Sequence, residues 1–219
     1  MPTWRRITQC RSCGGPLKAS LLDLGRMPLA NRLLDPAAAC AEEPTYPLHV
    51  RVCGDCLLAQ HDLAIDPKIL FSDYVYFSSM SQAWVAHARE LVDRAVRRFD
   101  LGADDLVVEI ASNDGYLLRH VVERGIPTLG IEPAANVAEA ARAAGVPTEC
   151  RFFSLATARD LMRERRPASL AIANNVLAHV PQLNDFLAGV ALLLEPGGVF
   201  IAEFPHLLEL MQSTELDTV

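Results

Sequence analysis

Hydrophobic and polar positions change character near residue 80. Beyond it, apolar residues recur at helical spacing or gather into short β-branched runs. Trp84, Val85, Ala88, Leu91, Val92, Ala95, Val96 and Phe99 mark one helix face, and Ser81 suits its N-cap. The run 106–111 predicts a buried strand, a polar turn follows at 112–115, and helical spacing resumes over 116–124. The alternation continues with strand 127–132, helix 134–144, a short strand near 147–150, helix 155–165, strand 168–174, helix 183–194 and strand 199–204. Gly125 and Gly145 stand where two of these helices should stop. Five strands with intervening helices predict an α/β domain with a parallel, doubly wound sheet.

Residues 1–64 read differently. They lack long helical patterns, alternate like a strand over 47–52, and offer a returning strand at 57–60. The expected organisation is a small domain over 1–64, a connector and helix over 65–105, and the α/β domain over 106–219.

Composition limits the partners. The chain has 219 residues, 51% apolar, enough to bury a core. A formal net charge of -7 excludes a general nucleic-acid binder, which needs clustered Lys and Arg. No apolar stretch follows the N-terminus as in a secretory signal, and none reaches membrane-spanning length. The expectation is a cytoplasmic protein with no membrane partner, where disulfides are disfavoured and the six cysteines need another explanation.

Four of them supply it. Cys10-Arg11-Ser12-Cys13 and Cys53-Gly54-Asp55-Cys56 are two C-x-x-C pairs on turns suited to presenting thiolates. Four thiolates make a closed tetrahedral shell, so zinc on Cys10, Cys13, Cys53 and Cys56 is expected, with a structural role because no position stays open for substrate. The competing reading is four buried or redox-active cysteines. Cys40 and Cys150 read as free thiols, and His49 and His61 as bystanders.

In a doubly wound sheet, ligands bind beyond the C-terminal ends of the strands. Those ends carry Ser112-Asn113-Asp114-Gly115, Glu132, Asn174-Asn175 with His179 shortly after, and Glu203, Phe204 and His206. A carboxylate at Glu132 can accept from ribose hydroxyls. The loop has Ala111, Asn113 and Gly115 where three glycines would cradle a pyrophosphate, which favours an adenosine ligand without a diphosphate.

With these residues in view, the sequence resembles the zinc-containing, S-adenosylmethionine-dependent sugar C-methyltransferases. The first cofactor motif is matched by 109–118, the fourth-strand motif by 174–180, the fifth by 203–206, and the aromatic stretch by 74–79, beside the paired cysteines. The resemblance implies a Rossmann-like sheet with S-adenosylmethionine held by Glu109, Ser112, Asn113, Asp114, Gly115, Glu132, Asn174 and Asn175. Gly115 and its neighbours would hold the methionine part, and Tyr74 and His179 would lie around the reacting sugar. Read alone, His179 at an apolar helix start is a structural histidine. The implied reaction is C-methylation of a nucleotide-linked 4-keto deoxysugar through an enolate. Family members are about twice this length and place a proposed base in a Tyr-His-Glu-His segment where this sequence stops. It is therefore expected to be the N-terminal half of such an enzyme, truncated or completed by a second chain. The alternatives are a non-catalytic zinc and S-adenosylmethionine-binding module acting through a partner, and an NAD-linked α/β enzyme.

Overall fold

The computed structural model describes residues 4–31, 33 and 43–215; Cys40 and the last four residues lie outside the described residues. The chain divides into two compact units, Met1–Tyr76 with Pro181–Asn184, and Phe77–Val180 with Asp185–Val219.

The first unit is built of short antiparallel pieces. Strands β1 (Trp4–Arg6), β2 (Leu17–Met27), β3 (Tyr46–Cys53), β4 (Ala59–His61) and β5 (Leu63–Ile65) are followed by the one-turn helix α1 (Pro67–Phe71). β2, β3 and β4 form one sheet, and β1 pairs with β5. The strand expected over 47–52 is β3, and its return partner is β4. The 11-residue β2 was not foreseen; much of it is exposed, so no strict alternation marks it in the sequence. Asp62 ties these strands together, accepting from Arg6 at 3.1 Å, facing His49 at 3.2 Å and Arg51 at 3.4 Å.

The second unit opens with a short 3-10 turn, Ser78–Met80, and helix α2 (Gln82–Phe99). The Ser81 hydroxyl caps that helix by accepting from the Trp84 N–H at 3.3 Å. Strand and helix then alternate: β6 (Val107–Ile110), α3 (Leu118–Val122), β7 (Thr128–Ile131), α4 (Ala135–Ala143), β8 (Thr148–Glu149), α5 (Leu155–Glu164) and β9 (Ala168–Asn174). A 3-10 turn at Leu177–His179, α6 (Leu183–Leu193), β10 (Leu194–Glu203) and α7 (Leu207–Ser213) complete it. The strand order is β10-β9-β6-β7-β8, all parallel. The order reverses at β6, so ligand space opens past the ends of β6 and β9.

Two expected bounds are corrected. The helix expected over 116–124 is only α3, because Gly115 at φ +77° turns the chain and residues 116–117 stay in a turn. The strand expected over 199–204 begins at Leu194, with a register shift across Pro196-Gly197-Gly198 before Val199. It is one edge of the sheet among the described residues.

Alternate strand residues feed the two faces. Val107, Leu170 and Ile172 pack with Val92, Leu118 and Val121. Val108, Leu129 and Ile131 pack with Leu161 and Leu193, and Ala171 and Ala173 with Phe186 and Val190. Helices thus cover both faces, which is why the strands read as continuous apolar runs.

Candidate functional site

The first unit gathers its paired cysteines. Their four sulfurs lie within 4.8 Å of one another, and neither His49 nor His61 joins the cluster among the described residues. Cys10 and Cys56 sulfurs are 3.6 Å apart, and those of Cys13 and Cys53 3.5 Å. A tetrahedral zinc with ordinary bond lengths sets sulfurs about 3.8 Å apart. Each pair sits on a knuckle whose N–H groups point back at sulfur. Ser12 donates to Cys10, Gly15 to Cys13 and Asp55 to Cys53, each at 3.4 Å. Gln60 adds a side-chain donor to Cys10 at 3.1 Å. Burial raises the Cys10 thiol, but the donors from Cys13, Ser12 and Gln60 outweigh it and bring its pKa down to about 6. Donors that stabilise a thiolate suit a metal ligand. Cys150, expected as a free thiol, is free and exposed just after β8.

The second unit builds the other site at the strand ends. After β6 the backbone enters the left-handed region at Ala111 (φ 56°), Asn113 (φ 49°) and Gly115 (φ 77°). A Cβ on Gly115 would stand 2.8 Å from a Val146 methyl, so only glycine fits there. One Glu132 carboxylate oxygen accepts from the Asn113 N–H and the other from the Ala134 N–H, both at 2.9 Å. The end of β7 therefore fixes the loop after β6. Burial raises the Glu132 pKa, against the pull of those two donors.

The predicted loop residues divide by role. Asn113 Oδ1 accepts from the Ser78 N–H at 2.8 Å, and Asp114 Oδ2 from the Ser79 N–H at 3.2 Å. Both thus hold the turn before α2. Several buried polar atoms nearby have no hydrogen-bond partner: Ser112 Oγ, Asp114 Oδ1 and Asn174 Oδ1. Glu109 is almost wholly buried; desolvation, then repulsion by Glu132 and Asp114, push its pKa well above the carboxylate range, against a smaller pull from the Tyr116 hydroxyl. Orphaned polar atoms beneath a strained loop are what a polar ligand would satisfy.

The remaining candidates fall at different places. Asn174 ends β9 and donates to the Tyr116 hydroxyl at 3.4 Å, whereas Asn175 is exposed with φ 55°. His179 lies on the exposed 3-10 turn after β9. Tyr74 lies in the first unit, its ring edge-on to Phe71 at 5.9 Å.

Sequence reasoning missed five contributors. The Ser78 and Ser79 N–H groups act through backbone, which side-chain patterns cannot reveal. Gly130 lies beside Ser112, where a Cβ would stand 2.4 Å from the Ser112 Oγ. Trp84, read as core, stacks on Tyr116 with ring centroids 6.0 Å apart. His87 stacks on Trp84 at 5.1 Å and meets Glu203 Oε2 at 2.7 Å. The i, i+3 spacing of Trp84 and His87 is the one signal that could have found it.

Comparison with known proteins finds two domain matches. A family model described as a zinc binding domain matches residues 10–71, and one described as a methyltransferase domain matches residues 108–200. The C-methyltransferase NovU of Streptomyces niveus is 35% identical over 215 residues, 98% of this chain and 51% of that protein. A ubiquinone biosynthesis O-methyltransferase of Rhodopseudomonas palustris (strain BisB18) is 25% identical over 116 residues, 50% of this chain and 46% of that protein. Among solved structures, the PH0226 protein of Pyrococcus horikoshii OT3 has a TM-score of 0.53 at 20% identity, covering 64% of this chain and 66% of that one, a likeness of fold. The chain spans about half the length of the curated relatives it matches. No helix among the described residues is long and apolar enough to cross a membrane.

These matches imply zinc and S-adenosylmethionine, and the residues present fit both. The donor set for zinc is four thiol sulfurs in one cluster with N–H donors around them. The loop after β6 offers a glycine no side chain could replace and a set of unsatisfied buried polar atoms.

Proposed function

Because the chain belongs to the zinc-containing methyltransferase family, we propose that it holds S-adenosylmethionine for C-methylation of a nucleotide-linked 4-keto deoxysugar. The observation that carries this reading is the coupling of Glu132 to the Asn113 N–H, which joins a carboxylate at a strand end, where a ribose-binding acid would stand, to the strained loop ending at Gly115. Identity to a C-methyltransferase over almost the whole chain supports carbon as the acceptor atom.

Bound S-adenosylmethionine supplies an electrophilic methyl group on a sulfonium. This chain's residues bind and orient it. Glu132 accepts from the ribose; Ser112, Asp114 and Gly115 receive the methionine part; Asn174 and Asn175 line the wall; Glu109 lies beneath the loop as a buried carboxyl. His179 meets the sugar. Enolate formation needs a base at the α-carbon and a donor at the carbonyl oxygen. We assign the base to a further segment or a second chain, in keeping with the half-length match to the relatives. That partial coverage also sustains a second reading, a non-catalytic zinc and cofactor-binding module acting through a partner.

The deciding experiment is transfer of a labelled methyl group to a nucleotide-linked 4-keto deoxysugar, with the chain alone and with the C-terminal half of a relative added. Label on the sugar carbon only in the completed system supports the enzyme. Cofactor binding without turnover in any combination supports the module instead.

A further inference from the structure

We infer that His87 and Glu203 form a positioning pair for the cofactor site, holding Tyr116 in place through the ring of Trp84. The inference rests on the reading of the loop after β6 as an S-adenosylmethionine site and adds residues that this reading does not use.

The contacts form a closed circuit. His87 Nε2 meets Glu203 Oε2 at 2.7 Å. A carboxylate only accepts, so Nε2 carries the proton and the imidazole is held in one tautomer. The imidazole stacks on Trp84 with an interplanar angle of 21°, and Trp84 stacks on Tyr116 at 23°. Tyr116 follows Gly115 directly, is 3% exposed, and receives the Asn174 amide donor at 3.4 Å. Asn174 is the Cα partner of Glu203 across β9 and β10, and the Asn175 N–H donates to the Glu203 carbonyl at 2.6 Å. Starting from Glu203, the circuit therefore passes through His87, Trp84, Tyr116 and Asn174 and returns. It joins α2, the cofactor loop and the last residues of two strands.

Magnitudes separate positioning from stability. The His87 and Glu203 side chains are 37% and 33% exposed, and a pair this open contributes on the order of 0–1 kcal/mol to folding. Neither belongs to a core cluster among the described residues. What the pair does fix is the direction of three near-parallel rings, the last of which abuts the glycine that the loop cannot replace. Tyr116 is itself a member of the buried apolar cluster and follows Gly115 directly, so a shift of its ring is passed to the backbone of the loop.

The test is calorimetric binding of S-adenosylmethionine to the zinc-loaded chain for wild type, His87→Ala, His87→Gln, Glu203→Gln and the His87→Ala/Glu203→Gln double variant, with melting temperatures alongside. Trp84 fluorescence in a Trp4→Phe background gives a second readout, because the chain has only two tryptophans. The alanine and E203Q variants should each weaken binding about tenfold, the double variant should be no worse than either, and H87Q should recover part of the loss. Melting temperatures should stay near wild type. Wild-type affinity in a folded H87A protein overturns the inference and leaves the cofactor reading intact. Melting losses that account for the weakened binding make the pair structural and also overturn it. Failure of the wild type to bind overturns the cofactor reading itself, and the inference with it.

Discussion

In the first unit the buried apolar cluster is Ile7, Cys10, Leu17, Cys53 and Ala64, with Leu58 against it, and two of those members are expected metal ligands. In the second unit three clusters run through both faces of a five-stranded sheet. Both units hold polar turns with backbone N–H donors, toward sulfur in one and toward carboxylate and amide oxygens in the other. The difference is what lies underneath. A sheet buried on both faces can support a strained loop, while so small a cluster cannot support two knuckles without an ion.

The comparison breaks most visibly on metal removal. Structural zinc contributes roughly 10 kcal/mol or more to a small domain. Chelation, or Cys53→Ser, should abolish amide protection through β2 to β5 while β6, β7 and β9 stay protected in hydrogen exchange. Equal loss in both units would mean that the sheet also depends on the ion. Next in size is Glu132→Ala. It removes a charged acceptor, worth about 1.5–3 kcal/mol, and should weaken S-adenosylmethionine binding by roughly ten- to a hundredfold in calorimetry. Gly115→Ala should cost about 1–3 kcal/mol in denaturant unfolding, because φ is +77° and the new methyl meets Val146.

A smaller change sharpens the contrast by going the other way. Glu109 has a raised pKa, so its charge opposes folding. Below the unfolded-state pKa both states are protonated and the group costs nothing. The cost appears as pH rises above that value and is complete once the folded pKa is passed. Glu109→Gln should therefore melt higher than wild type at neutral pH, with the gain vanishing in acid below the ordinary carboxylate range. A gain that persists in acid would assign the effect to packing instead.

Much of this contrast was legible in the sequence. Paired cysteines declare a metal site because spacing alone limits what they can do, and alternating apolar runs declare a parallel sheet. Glu132 was found by its place at a strand end. The predicted length of the helix after Gly115 was wrong because apolar spacing over 116–124 cannot reveal that residues 116–117 remain in a turn. The circuit from His87 to Glu203 was hidden because its members are 116 residues apart and meet only once the sheet order is known. The Ser78 and Ser79 donors were hidden because backbone groups carry no residue identity.

In our proposal the loop after β6, fixed by Glu132, holds S-adenosylmethionine. Isothermal titration of the zinc-loaded chain with S-adenosylmethionine, and separately with NADH, tests it most directly. The expected result is one equivalent of S-adenosylmethionine bound, weakened roughly ten- to a hundredfold in Glu132→Ala, and no heat from NADH. Binding of NADH with none of S-adenosylmethionine would contradict it.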